Sequence, residues 1–288
     1  MKIFGLIMVF ACVFGGFMWA GGKMEPIFKA LPYELTIIGG AAIGAFLIGN
    51  SMHVIKSTLS NLDCMIKAEA HDKADYMELL SLLFMIFKLA RTKGWLALES
   101  HIEDPDQSDL FRQFPGFQKN HHATHFICDY LRIISLGNEN PHELEALMDE
   151  EIETLEHEFM HPAHAVQTMA DGIPALGIVA AVLGIIKTMG SITEPPEVLG
   201  KMIGGALVGT FLGVFLAYGA VGPIGSALGA KGESKLMYYK AMKVSLIAFL
   251  NGAAPQVAVE FARKFLPHHV QPTFMELEEK LNELPAPG

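Results

Sequence analysis

The chain has 288 residues, 51% of them hydrophobic and only 18% charged, with a formal net charge of −10. It is too apolar for an ordinary soluble enzyme, and its negative balance argues against a nucleic-acid partner. Its three cysteines, Cys12, Cys64 and Cys128, show no paired spacing, which suits a reducing compartment.

The first element is a charge-free run from Ile3 to Gly22. About 20 apolar residues match the hydrocarbon thickness of a bilayer, so the run predicts a transmembrane helix. A cleaved signal peptide is the competing reading. Against it, the charged n-region is a lone Lys2 and the apolar core is too long. A short link over residues 23–34 carries Lys23 and Lys29, and a second charge-free run follows from Leu35 to Val54. Residues 1–54 are thus expected to hold two membrane helices.

Residues 55–172 form a large polar segment that reads as helical throughout. "LLSLLFMIF" (Leu79 to Phe87) is about half a span, and is expected to pack on protein rather than cross lipid. Further on, Gly137 closes one helix, and Asn140, Pro141 and Glu143 supply the N-cap, first-turn proline and capping carboxylate of the next. An acidic run from Glu143 to Glu158 follows, read either as a solvated face or as an electrostatic docking surface. "HEFMH" (His157 to His161) fits the zinc-binding H-E-x-x-H pattern, with His164 nearby, and "HHATH" (His121 to His125) offers a second i, i+4 pair. A metalloprotease reading is declined because Pro162 follows directly, where a zincin helix would need to continue.

A third apolar run, Ile173 to Ile192, is interrupted only by Lys187, and a fourth, Met202 to Gly222, is uncharged. Residues 173–222 are therefore read as two more membrane helices, with the link 193–201 between them. In the fourth run, Ala206, Gly209, Gly213, Ala217 and Ala220 line one stripe, opposite Leu207, Phe211, Val214, Phe215 and Tyr218. In the third, Gly177, Ala181, Gly184 and Thr188 make a similar stripe. Small stripes let membrane helices approach closely, so Gly177, Gly184, Gly209 and Gly213 are the candidate packing residues. Thr210 borders the fourth-span stripe and should face whatever that stripe touches. On these bounds no span holds an Asp, Glu or His in its middle, since His53 and Asp171 fall at span ends. Ion pathways normally carry such groups. Either the protein moves no ions, or a partner helix lying on the small stripe supplies the carboxylate.

Residues 223–288 form a tail. "VSLIAFLNGAAPQVAV" is broken by Asn251 and Pro255, Thr273 and Glu276 have capping-box spacing, and the final "PAPG" is expected to fray. Lys56, Lys67 and Lys73 follow the second span, and Lys231, Lys235 and Lys240 follow the fourth. Counted against Lys23, Lys29 and Lys201 in the short links, they favour both large segments on the cytoplasmic side.

"GIPALGIVAAVLGIIKTMGSI" followed by "LGKMIGGALVGTFLGVFLAYGAVGPI" resembles the A subunit of the bacterial flagellar motor stator, the motility protein A family. "RTKGWLALESHIED" and "FICDYLRIISLGNENPHELEALMDEEIE" are similar to that family's cytoplasmic segment. The resemblance covers essentially the whole chain. It implies an all-α polytopic inner-membrane protein, five copies of which ring two copies of a B subunit whose membrane helix carries the missing aspartate. It implies functional prolines at Pro174 and Pro223, and torque-associated charges at Arg91 and Glu99 that act on the rotor switch protein. Proton- and sodium-driven forms exist within the family. Sodium-driven relatives carry a threonine where this chain has Ala181 and share the one at Thr210, so protons are expected here. Ala181, Thr210, Pro174 and Pro223 are then the ion path and B-subunit contact. No cofactor, metal or catalytic group is expected, and the chain is not read as an enzyme. The alternative is a related energising subunit for outer-membrane transport or Tol-type envelope work, which generally has three spans.

Overall fold

The computed structural model describes residues 2–66 and 70–285, which are helical with no β-strand. Lys67 and residues 286–288 of the final segment lie outside the described residues. In chain order the helices are α1 (Lys2–Trp19), α2 (Glu25–Glu34), α3 (Gly40–Gly49), α4 (Met52–Ser60), α5 (Lys73–Lys93), α6 (Glu99–Glu103) and α7 (Pro115–Gln118). There follow α8 (His121–Ser135), α9 (Pro141–Met189), α10 (Pro196–Leu216), α11 (Gly222–Leu250), α12 (Pro255–Phe265) and α13 (Phe274–Glu283). Widened π-helical turns over Leu35–Gly39 and Ala217–Val221 join α2 to α3 and α10 to α11. The chain divides into two compact units, one of residues Met1–Ala68 with Glu158–Gly232 and one of Glu69–His157 with Glu233–Gly288.

Four helical stretches are long and apolar enough to cross a membrane: Lys2–Trp19, Glu25–Gly49, Pro141–Met189 and Pro196–Leu250. All four contribute to the first unit. Ile38 and Ala42 of the second pack with Ile173 and Ala180 of α9 and with Leu212 and Ala217 of the fourth. Phe10 and Phe14 of α1 meet Phe215 edge-on at 4.8 and 5.3 Å between ring centres. Elsewhere in the unit, buried Lys231 pairs with Asp63, and Lys2 Nζ donates to the Cys64 carbonyl at 3.1 Å.

Three boundaries differ from the sequence expectation. The second span starts at Glu25, ten residues before the charge-free run, because Pro26 opens a helix that passes through Pro32. α9 runs unbroken through Pro162 and Pro174, so Pro174 is interior rather than a helix start. Neighbouring Ala163, Ala165, Val166, Ala170 and Ile173 are all buried, and their packing holds the helix across the missing donors. Pro223 does not stop the last span either. A proline leaves the carbonyl four residues back without its helical donor, and here Gly219 lies inside the π turn, where the bonding pattern is already shifted.

The second unit is built on α5. Leu79, Leu80, Leu82, Leu83, Ile86 and Phe87 are fully buried, so the short apolar run is protein core. Phe87 stacks on Phe249 at 4.6 Å between ring centres. Asp72 and Asp75 form a capping box at the start of α5, and Thr273 with Glu276 forms the one predicted for α13. A hydrogen bond from Lys73 holds the Glu276 carboxyl down at about 2. The acidic run is partly engaged: Asp149 pairs with Lys243 at 2.7 Å, Glu156 with Lys240 at 3.6 Å, and Glu151 accepts from the Tyr130 hydroxyl at 2.7 Å.

Cys128 lies in the buried face of α8, and burial pushes its thiol up to about 12. Almost no thiolate is then available to react at pH 8. In a Cys12→Ser background, N-ethylmaleimide should leave Cys128 of the folded protein unmodified and label it only after denaturation. Labelling at the rate of a free thiol would show that this face of α8 is not packed.

Candidate functional site

The site is built where α9 and α10 cross. A Cβ placed on Gly177 would stand 2.9 Å from both the Gly209 carbonyl oxygen and Gly213 Cα. One on Gly213 would stand 2.8 Å from Gly177 Cα and 3.2 Å from the Ile173 carbonyl oxygen. One on Gly184 would stand 2.7 Å from Ala206 Cβ. These are mostly backbone atoms, which cannot swing aside, so the four glycines put two main chains in direct contact. The stripe expected to face a partner helix is therefore occupied within the chain. What α10 leaves exposed is the opposite face, with Leu207 at 63% and Val214 at 46%.

At the fourth glycine a carboxylate enters. A Cβ on Gly209 would lie 2.6 Å from Glu34 Oε2, 3.1 Å from the Ala181 backbone nitrogen and 3.2 Å from Ala180 Cβ. Glu34 ends α2, is only 6% exposed, and its Oε2 is buried without a hydrogen-bond partner. The sequence reading missed it, because ending the span at the nearest charge placed Glu34 in a link. A signal was present nonetheless. Glu34, Ile38 and Ala42 recur every fourth residue, so a helix that buries Ile38 and Ala42 carries Glu34 on the same face. The statement that no span holds an acidic residue in its middle is thus overturned.

The crossing gathers most of the predicted ion-path residues. Ala181 touches Gly209, Thr210 is the next residue along, and Pro174 follows Ile173, whose carbonyl faces Gly213; all three are half-buried. Beside Glu34 is a cavity of about 660 Å³ lined by Ala180, Gly184 and Ala206 together with Lys23, Lys29, Lys187 and Lys201. Pro223 is not part of this cluster. It is exposed and lines a separate cavity of about 740 Å³ with Lys2, Val9, Gln167 and Tyr218.

Arg91 and Glu99 lie in the second unit, both exposed. Arg91 is in the last turn of α5 and Glu99 opens α6, so each charge complements its helix end. Gly94 separates them at φ +83°, a left-handed conformation that a side chain resists. The H-E-x-x-H histidines, His157 and His161, are exposed on an α9 that continues through Pro162, so the reason given for declining zinc fails. Among the described residues, no three His, Cys, Asp or Glu side chains cluster as metal ligands.

The motility protein A N-terminal family matches residues 3–94, and the MotA/TolQ/ExbB proton channel family matches residues 118–241. Motility protein A of Salmonella typhimurium is 41% identical over 286 residues, covering 99% of this chain and 96% of its own. That of Escherichia coli is 42% identical over 99% of this chain and 96% of its own. This chain belongs to the motility protein A family.

Chemotaxis protein LafT of Vibrio parahaemolyticus is 37% identical over 98% of each chain. Among solved structures, the flagellar MotAB stator complex from Bacillus subtilis contains a chain that matches with a TM-score of 0.71 at 26% identity, over 92% of this chain and 95% of its own. The C. jejuni MotAB structure matches with a TM-score of 0.73 at 21% identity, covering 93% of this chain and 95% of its own, a likeness of fold. The family is one of multi-pass membrane proteins, and the four apolar helices fit it.

Gly213→Leu should leave membrane insertion intact, because the span stays long and apolar. It should abolish swimming, because the added side chain meets Gly177 Cα and the Ile173 carbonyl. Gly204→Ala, whose Cβ would meet nothing within 4 Å, should swim normally. Membrane-fraction blots and swim-plate diameters read both, and a motile Gly213→Leu strain would contradict the contact.

Proposed function

We propose that this chain is the A subunit of a flagellar motor stator, which with a B subunit conducts protons across the inner membrane and turns the rotor. The observation that carries the proposal is the near-full-length identity to motility protein A, with four membrane-length helices in the expected order. The match of residues 3–94 to the motility protein A N-terminal family favours this reading over the energising relatives of outer-membrane transport. Five copies are proposed to surround two B subunits, with both polar segments in the cytoplasm.

In this reading, protonation of the partner's aspartate removes a buried charge and lets the ring shift relative to it. One charge moving down 100 mV yields about 2.3 kcal/mol, so each step must run over a nearly flat surface. The exposed face of α10 and the π turn after it offers such a surface in Leu207, Val214 and Tyr218, with no charge among them. Thr210 and Ala181 lie one residue from and at the Gly209 contact, and Pro174 and Pro223 are the proposed contact prolines, both at the cytoplasmic ends of their spans.

Two features favour protons over sodium. Alanine at 181 offers no side-chain oxygen next to the Thr210 hydroxyl. Beyond the Glu34 carboxylate, the Gly177–Gly213 and Gly209–Ala181 contacts supply no side-chain oxygen, where a desolvated sodium ion needs several ligands. Swimming speed should follow the proton gradient, collapse with a protonophore, and ignore replacement of sodium by potassium at constant pH. Speed that tracks external sodium and survives the protonophore would reassign the ion.

Arg91 and Glu99 are proposed to act on the rotor switch protein through solvent. Exposed pairs are individually weak, about 0.2–1 kcal/mol, so neutralising either residue should only slow swimming. Reversing both should be far worse, and complementary reversal in the rotor protein should restore torque. A double reversal that swims at normal speed would reduce these residues to ordinary surface charge.

A further inference from the structure

We propose that Glu34 is a proton-binding group of the A subunit itself, loaded from the lysine-lined cavity and placed at the Ala181–Gly209 contact. The inference rests on the stator reading and adds to it a titrating site on this chain, distinct from the carboxylate the partner supplies.

Three independent observations place it. The residue is 94% buried, one carboxylate oxygen has no hydrogen-bond partner, and the atoms nearest it at the crossing belong to glycine and alanine. An unpaired charge left there would cost several kcal/mol, so the group is neither inert packing nor a surface charge turned inward. Second, Glu34 lies about 14 Å along its helix from Glu25, well inside the span, yet it lines a cavity of about 660 Å³ that gives water access to it. Third, it is the last α-helical residue before the π turn at Leu35–Gly39, and such turns gather at functional positions.

The charges around it are fixed by the packing. On its own helix, Glu25 pairs with Lys29 at 2.5 Å, and Tyr33 also lines the cavity. Lys187 comes from α9, Lys201 from α10 and Lys23 from the link before α2, while the wall nearest the carboxylate, Ala180, Gly209 and Ala206, is neutral. The cavity gives the carboxylate a water-filled approach from one side, and Glu25 offsets Lys29 in its wall. The chemistry is a single exchange: the carboxylate takes a proton from cavity water to become the acid, and returns to the anion when that proton moves on along the path.

The test uses the complete complex with its B subunit in vesicles under a pH gradient. Glu34→Gln keeps the size and hydrogen-bonding of the acid but cannot exchange a proton. It should lower proton flux on the order of a hundredfold while A and B subunits still copurify. Glu34→Asp should retain a measurable part of the flux. If the Gln variant assembles and conducts normally, the inference is wrong. If it does not assemble, the wild-type complex decides: dicyclohexylcarbodiimide, which reacts with protonated carboxyls in apolar surroundings, should label Glu34 at a rate that falls as pH rises. An unlabelled Glu34, or labelling indifferent to pH, also overturns it. A wild-type complex without proton flux would defeat the stator reading itself, whereas flux that is unaffected by Glu34→Gln defeats only this inference.

Discussion

Two membrane helices have no hydrophobic reason to associate, because lipid tails are as apolar as leucine. What holds α9 to α10 is contact between main chains, made possible where Gly177 meets Gly213 and Gly184 meets Ala206. Everything else in the first unit follows from that contact. With the small faces turned inward, the bulky faces must point outward. Phe211 and Phe215 meet the rings of α1, while Leu207 and Val214 are left for neighbours. The second span then packs Ile38 and Ala42 onto the same pair of helices, and this brings Glu34 to Gly209.

Much of this was legible in the sequence, and for a definite reason. Apolar length and small-residue spacing are one-dimensional signals. They fixed the four spans, the core role of Leu79 to Phe87 and the stripes on α9 and α10. Caps were legible where their spacing is local, as at Thr273 and Glu276. The capping box at Asp72 and Asp75 has the same kind of signal, with the shorter Asp in place of the usual Ser or Thr and of the usual Glu or Gln, and was passed over.

The misreadings share one cause, which is treating a residue's usual preference as a boundary. Charge was used to end the second span, and proline to break α9 and the fourth span. In each case packing outweighs the local preference. Buried alanines and Ile173 hold α9 across Pro162 and Pro174, and the π turn absorbs the donor missing at Pro223. Which chain a small stripe touches was beyond reach for a different reason. A helical wheel shows that a face is smooth but not what lies against it, and here the first occupant is the chain's own α9.

The same contact constrains how an ion could be handled. Two backbones pressed together leave no room at the crossing for a hydrated cation, and apart from the Glu34 carboxylate the side chains there are glycine and alanine, with the Thr210 hydroxyl nearby. A partly dehydrated metal ion would need several oxygens that these residues do not offer. A proton needs one carboxylate and a water-filled approach, and both are present: Glu34 is at the crossing and the lysine-lined cavity lies beside it. The close packing that holds the helices together and the proposed preference for a proton thus rest on the same small residues. Widening the crossing to admit metal ligands would weaken the packing, so ion choice and helix association in this chain are coupled properties.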